Sequence, residues 1–370
     1  MNTEVWFAPG RANLMGEHTD YNEGFVLPFA LGRGVTATVA ARDDGQLVLR
    51  SAQAPGETAA VALDSLAPGS VTGWAAYPAG AAWALRDAGY PVRGASVGID
   101  SDLPVGAGVS SSAALECSVA LALCSRSGFT VPRSELAAIA QRAENEFVGA
   151  PTGIIDQSAA LLCEESHALL LDCGTGKTVQ VPFRPAAAGL AALVIDTRVT
   201  HALVSGEYAA RRAECEAAAR ALGVPALGAV TGLDQLGRLD DPVLRRRARH
   251  VITDSARARE IAAALLADGA SADATYRFIG QSLLAGHASL RDDFEVSWPA
   301  ADVAVPAAVS AGAYGAKMIG GGFGGSVLAL VPARAAAALR AGVTGAFTAR
   351  GWTAPEFLDA VPSPAARRLA

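Results

Sequence analysis

The sequence predicts a mixed α/β chain, α+β in class, divided into two lobes. Three observations carry this expectation. The 370 residues exceed the roughly 100–200 of a single domain. Hydrophobic residues at 51% against 18% charged supply a sizeable core and exclude disorder over most of the chain. Short β-branched segments bounded by glycine also alternate with long Ala/Leu segments of helical period.

Taken from the N-terminus, alternation over 35–42 (VTATVAAR) and 94–100 (GASVGID) predicts strands, with a helix over 75–88 between them. Helices follow at 111–126 and 133–148, the second opening on Pro132-Arg133-Ser134-Glu135, a proline and acidic first turn suited to a helix start. Strands recur at 167–172 (HALLLD) and 191–196 (AALVID). Between them, 173–187 is rich in Gly, Thr and Pro, which puts the lobe boundary near residue 180 and gives lobes 1–180 and 181–370. Helices over 206–221, 241–266 and 274–290, a strand over 326–331 (SVLALV) and a helix over 333–348 complete the order. No repeat of 20–50 residues is present.

Several function classes are excluded early. Thirty basic against thirty-six acidic residues give a net charge of −6, the wrong sign for a nucleic-acid binder. The compact cluster Arg245, Arg246, Arg247 and Arg249 reads as a solvated helix face offset by Asp240, Asp241 and Asp254. Five cysteines, Cys117, Cys124, Cys163, Cys173 and Cys215, form an odd set without C-x-x-C spacing. They argue against a disulfide framework or thiolate metal site and point to a reducing cytoplasm. The opening MNTEVWFAPGR lacks the basic and apolar regions of a signal peptide, and no apolar run is long enough to span a membrane. GTGKT at 174–178 resembles the end of a Walker A loop, but position 171 is Leu where that motif needs Gly, so Lys177 reads as an exposed turn residue.

Three segments are unusual. Ala8 to Pro28 (APGRANLMGEHTDYNEGFVLP) is too polar and glycine-punctuated for a simple strand or helix and is expected to be a shaped loop. Its Arg11, Glu17, His18 and Asp20 place a cation, two carboxylates and an imidazole within ten residues, a set able to hydrogen-bond a polyhydroxylated ligand. A charged surface turn is the competing explanation. Leu103 to Leu115 (LPVGAGVSSSAAL) places Gly106 and Gly108 before a serine-opened helix, where free N–H groups and the helix dipole favour phosphate. A glycine turn with a serine N-cap would look the same. Gly320 to Gly325 (GGGFGG) satisfies G-x-G-x-x-G but feeds a strand rather than a helix. A loop pressed against a ligand or another backbone is therefore favoured over dinucleotide binding, with a plain hairpin as the alternative.

In order and spacing, the three segments resemble the three motifs of the GHMP small-molecule kinases, and GRANLMGEHTDYNEGFVLP is similar to the first motif of the galactokinase branch. That resemblance implies a GHMP kinase fold, with a mixed sheet in the N-terminal lobe, an antiparallel sheet in the C-terminal lobe, and the active site between lobes. It implies sugar contacts from Glu17, His18, Thr19 and Asp20, from Gly153 and Asp156 in PTGIIDQ, and from Tyr208 in SGEY. The phosphate cradle becomes Gly106, Ala107, Gly108, Val109, Ser110, Ser111 and Ser112, with Ser112 and Glu144 as Mg²⁺ ligands. Asp156 becomes the candidate base and Arg11 its charge partner. Trp74 in WAAYPAG is the candidate for stacking on adenine, core packing being the alternative. His167, His250 and His287 read as structural or exposed, and His201 is unassigned.

The activity implied is ATP-dependent phosphorylation of the anomeric hydroxyl of galactose by a cytoplasmic monomer. Its partners are small molecules, not nucleic acid or membrane. A sugar and ATP sensor on the same fold and a kinase for another sugar are the alternatives.

Overall fold

The computed structural model describes residues 3–370 apart from Val105, 201–205, Asp268 and Ala270, so His201 lies outside the described residues. The first half runs β1 (Glu4–Asn13), β2 (Phe25–Val26), β3 (Pro28–Ala41), β4 (Gln46–Ser51), β5 (Ala59–Ala62), α1 (Ala76–Asp87), β6 (Ala95–Ser101), α2 (Ser111–Ser127), α3 (Arg133–Arg142), α4 (Ile155–Leu162), β7 (His167–Asp172) and β8 (Thr178–Pro182). The second runs β9 (Leu190–Asp196), α5 (Glu207–Leu222), α6 (Pro242–Leu266), α7 (Ala272–Asp292), α8 (Pro299–Ser310), β10 (Gly315–Ile319), β11 (Ser326–Pro332), α9 (Ala336–Thr348), β12 (Glu356–Asp359) and β13 (Arg367–Arg368).

A six-stranded sheet in the order β13-β1-β3-β6-β4-β5 is mixed, because β4 pairs parallel with β6 while its other pairs are antiparallel. A four-stranded sheet, β10-β11-β9-β12, is antiparallel throughout. A third, smaller sheet joins β2, β7 and β8. Apolar residues of the first sheet, such as Leu47 and Val97, pack with α1–α4 in one core, and alanines such as Ala79, Ala82 and Ala120 let the helices approach closely. A second core sets Leu193, Ile195, Met318 and Val327 against α5, α6, α8 and α9. The chain ends where it began, with Trp6 of β1 opposite Arg368 of β13.

Three expectations are corrected. Ala8–Asn13 is not loop but the second half of β1, buried throughout. Its polar residues hid the strand because Arg11 and Asn13 serve the site rather than solvent. The predicted helix over 133–148 leaves α-geometry at Arg142 and continues as a π-helical turn to Val148. Such turns concentrate at functional sites, and this one carries Glu144. Arg247 is not solvated: it is 2% exposed and paired at 2.6 Å with both Glu214 and Glu295, binding α6 to its neighbours. Lys177 is exposed in the turn between β7 and β8, as expected. Among the described residues no helix is long and apolar enough to cross a membrane.

Candidate active site

The three unusual segments meet. A cavity of about 420 Å³ is lined by Arg11, Glu17, His18 and Asp20 from the first, Gly106, Gly108 and Val109 to Ser112 from the second, and Gly320 and Gly321 from the third. Trp74, Glu144, Gly153, Asp156 and Tyr208 complete the expected set around it.

Arg11 is brought there by a bulge of β3 against β1. Register shifts between Pro9, opposite Gly34, and Arg11, opposite Ala30, so that residues 31–33 of β3 face the single Gly10, and the Arg11 N–H bonds the Val109 carbonyl at 3.1 Å. A bulge of this kind re-aims a side chain. The guanidinium then reaches two motifs at once: Nη1 donates to the Gly108 carbonyl at 2.5 Å, and Nε lies 2.9 Å from Asp156 Oδ1. The second contact is a charge pairing rather than an aligned hydrogen bond. Asp156 stands in the first turn of α4, a short helix that sequence periodicity missed.

The second motif opens α2. Gly106, Gly108 and Ser110 all have φ between 61° and 77°, so the loop curls in the left-handed region before the helix begins at Ser111. Ser110 Oγ is shielded from solvent yet has no partner among the described residues, and Ser110 lines the cavity, an arrangement that asks for an acceptor. The hairpin loop between β10 and β11 supports this turn from behind. A Cβ at Gly320 would come within 3.2 Å of the Gly108 carbonyl, and one at Gly108 within 3.4 Å of the Ile319 carbonyl. The third motif is therefore the backbone-against-backbone loop that the sequence favoured. Ala107 does not line the cavity; it is buried and its carbonyl accepts from Ser326 Oγ at 2.6 Å.

Ser112 Oγ donates to Glu144 Oε1 at 2.8 Å, while Thr152 Oγ1 and Gln157 Nε2 reach Oε2 at 2.8 Å each. Burial, with Asp156 nearby, raises the Glu144 pKa. A buried carboxylate beside a hydroxyl is an all-oxygen donor pair that suits a hard divalent cation.

The segment from Gly16 to Asp20 packs tightly on its neighbours. His18 has φ 61°, and its ring packs at a tilt against Tyr208 and Phe294, 5.2 Å and 4.7 Å between centroids. Because a carbonyl only accepts, Nε2 carries the proton that goes to Gly321 O at 3.2 Å, and Nδ1 accepts from the Tyr21 hydroxyl at 2.9 Å. Burial lowers its pKa to about 3, so the ring is a neutral wall with both nitrogens committed to protein. Thr19 is fully buried and does not line the cavity; its hydroxyl turns toward the Gly16 and Phe25 carbonyls. Asp20 accepts from Tyr21 N at 2.9 Å and Ile155 N at 3.4 Å. Burial above all, with Asp156 contributing, raises its pKa to about 6. Gly153 leaves room for this carboxylate, since a Cβ would sit 1.7 Å from Asp20 Oδ2.

Trp74 is half-buried at the far end, its indole donating to Glu57 Oε2 at 2.9 Å. Pro78 does not disturb the segment, because it falls in the first turn of α1, where no helical N–H is lost. Sequence reasoning missed Asn13, His250, Asp254 and Lys317, all of which hold Glu17. His250 lies in α6, its Nε2 3.0 Å from the Glu17 carbonyl, a contact across 233 positions that no local pattern announces.

Comparison with known proteins gives the same grouping. Residues 2–41 match the galactokinase galactose-binding signature, 76–164 the GHMP kinases N terminal domain, and 277–347 the GHMP kinases C terminal domain. The chain is 49% identical to a galactokinase of Streptomyces coelicolor, covering 99% of this chain and 94% of that one. It is 47% identical to a galactokinase of Mycobacterium tuberculosis, covering 98% and 99%. The crystal structure of Lactococcus lactis galactokinase complexed with galactose superposes with a TM-score of 0.93 at 31% identity, covering 100% of this chain and 95% of that one.

Proposed function

The chain belongs to the galactokinase branch of the GHMP kinases, and from that premise we propose that it transfers the γ-phosphoryl group of ATP to the anomeric hydroxyl of galactose, giving galactose 1-phosphate and ADP. The observation that carries this is Arg11, which touches Asp156 on one side and the Gly108 carbonyl on the other. A base for a sugar hydroxyl thus lies within one side chain of a phosphate-binding turn.

Phosphoryl transfer is governed by in-line placement and charge neutralisation. Asp156 accepts the C1 hydroxyl proton as that oxygen attacks the γ-phosphorus, and the bond from phosphorus to the bridging oxygen of ADP breaks. Arg11 offsets the charge that develops beside it. The N–H groups of the 106–112 loop and the positive end of α2 receive the phosphates. Ser112 and Glu144 would hold Mg²⁺, which when bound neutralises phosphate charge. Glu17, Asp20, Gly153 and Tyr208 receive the sugar, with His18 as a wall. Trp74 stacks on adenine.

A division near residue 180, into 1–180 and 181–370, would cut β8, which pairs with β7, so we place the boundary just beyond that hairpin, with β13 returning to the first sheet. A monomer is the proposed state. The five free cysteines, four of them buried, suit a reducing cytoplasm. The test is Asp156→Asn, assayed by galactose-dependent ADP release with phosphorus NMR of the product. The variant keeps its fold and binds both substrates but loses turnover by at least about a hundredfold, the usual scale of acid–base catalysis. Wild-type turnover in Asp156→Asn, or phosphate appearing on another carbon, would contradict the assignment.

A further inference from the structure

We infer that Lys317 is a positioning residue for sugar recognition, acting through the Glu17 carboxylate. The inference rests on the galactose-phosphorylating reading. Lys317 lies on β10 with a side chain 0% exposed, among the buried apolar residues Ala316, Met318 and Ile319. An ammonium there is costly unless paired, and the strand could be filled by apolar side chains. Its partners indicate its use. Nζ donates to Glu17 Oε1 at 3.1 Å and to the Met318 carbonyl at 3.1 Å.

The main chain of Glu17 is fixed separately, from α6: its N–H donates to Asp254 Oδ2 at 3.1 Å and its carbonyl accepts from His250 Nε2 at 3.0 Å. The direction of the side chain therefore depends on the donors at its carboxylate. Gly320 N–H joins Lys317 on Oε1 at 3.1 Å, and the Asn13 amide holds Oε2 at 2.8 Å. Three donors occupy three of the about four lone-pair directions of a carboxylate. Glu17 lines the cavity, so the remaining direction is available to a sugar hydroxyl. Lys317 contributes the charged donor of the three. Without it only the neutral Gly320 and Asn13 donors hold the carboxylate, its direction is less firmly set, and the loss falls on the one hydroxyl that Glu17 receives.

The experiment measures kcat and KM for galactose, for analogues each lacking one hydroxyl, and for ATP. It uses the wild type, Lys317→Met, Glu17→Gln and the double variant, with thermal unfolding of each. Methionine keeps the unbranched stem. Lys317→Met is expected to raise the galactose KM by roughly tenfold, as for one charged hydrogen bond, while the ATP KM stays within about twofold. Discrimination should flatten at the same hydroxyl position where Glu17→Gln flattens it, and nowhere else. The double variant should lie within about twofold of Glu17→Gln, since Lys317 acts only through that carboxylate. If Lys317→Met does not fold, the double variant, neutral on both sides, carries the test. Uniform losses across the sugar panel would overturn the inference. So would a parallel rise in ATP KM, a double variant far below Glu17→Gln, or a double variant that also fails to fold. Wild-type protein that consumes no ATP with galactose would instead remove the underlying function, and the wild-type control separates that case.

Discussion

Gly153→Ala drives a methyl group into the Asp20 carboxylate. An alanine Cβ would lie 1.7 Å from Asp20 Oδ2 and 2.1 Å from its Cγ. Ordinary contact begins near 3.4 Å, twice that separation, so the carboxylate has to withdraw by about 1.7 Å. Hydrogen bonds tolerate only about 0.5 Å of such change. Whatever the carboxylate holds is therefore lost, together with its own bonds from Tyr21 N and Ile155 N. A hydrogen bond to a charged group contributes about 1.5–3 kcal/mol, which corresponds to a fall in kcat/KM for galactose of roughly 10- to 150-fold. The backbone of Gly153 is outside the left-handed region, so alanine is conformationally acceptable and the effect is steric alone. The ATP KM should stay within about twofold, because the 106–112 loop is untouched. A coupled ADP-release assay across galactose and ATP concentrations reads both. Wild-type kcat/KM for galactose in Gly153→Ala would refute the placement of Asp20 in the sugar site.

Four further outcomes are expected. Because Asp20 titrates at about 6, kcat/KM for galactose should fall as pH drops through that value, and Asp20→Asn should lack this limb. The same shift has a stability sign: a folded pKa raised from 3.8 to about 6 makes ionised Asp20 a penalty above pH 6, up to about 3 kcal/mol, that fades as pH falls toward 3.8. Asp20→Asn should accordingly raise Tm relative to wild type more at pH 8 than at pH 4. Glu144→Gln should raise the Mg²⁺ concentration for half-maximal rate by roughly tenfold or more, read by metal titration at saturating substrates; an unchanged midpoint would reject Glu144 as a ligand. Arg247→Ala should cost about 2–3 kcal/mol in denaturant unfolding because it breaks two 2.6 Å pairs, whereas Arg246→Ala, at the exposed edge of the same cluster, should cost under about 1 kcal/mol.

The legible parts of this molecule are local. β6, the second half of β3 and the long α2, α6 and α7 fall where periodicity puts them, because their burial pattern repeats every two or three to four residues, whereas the first half of β3, from Pro28, lies outside the predicted strand. The illegible parts break that repeat for a reason. Arg11 and Asn13 interrupt the apolar run of β1 because they face Asp156 and Glu17. α4 is eight residues long and α8 contains Pro306, so neither offers the signal of a full-length helix. The arginine-rich start of α6 looks solvated in one dimension, and only the approach of Glu214 and Glu295 makes Arg247 an interior residue.

The chain alone determined the chemistry on offer: a carboxylate and imidazole cluster, a serine-opened glycine turn, and a second glycine loop, in an order that matches one kinase family. These are contiguous motifs, and their meaning survives without coordinates because backbone shape and side-chain type are set within a few residues. Only the folded molecule decided which of those groups face the cavity and which are spent inside. It turned Thr19 inward, used both nitrogens of His18 on neighbours, and brought Lys317 across 300 positions to Glu17. Such pairings depend on three-dimensional packing between distant elements, and linear spacing carries no record of them.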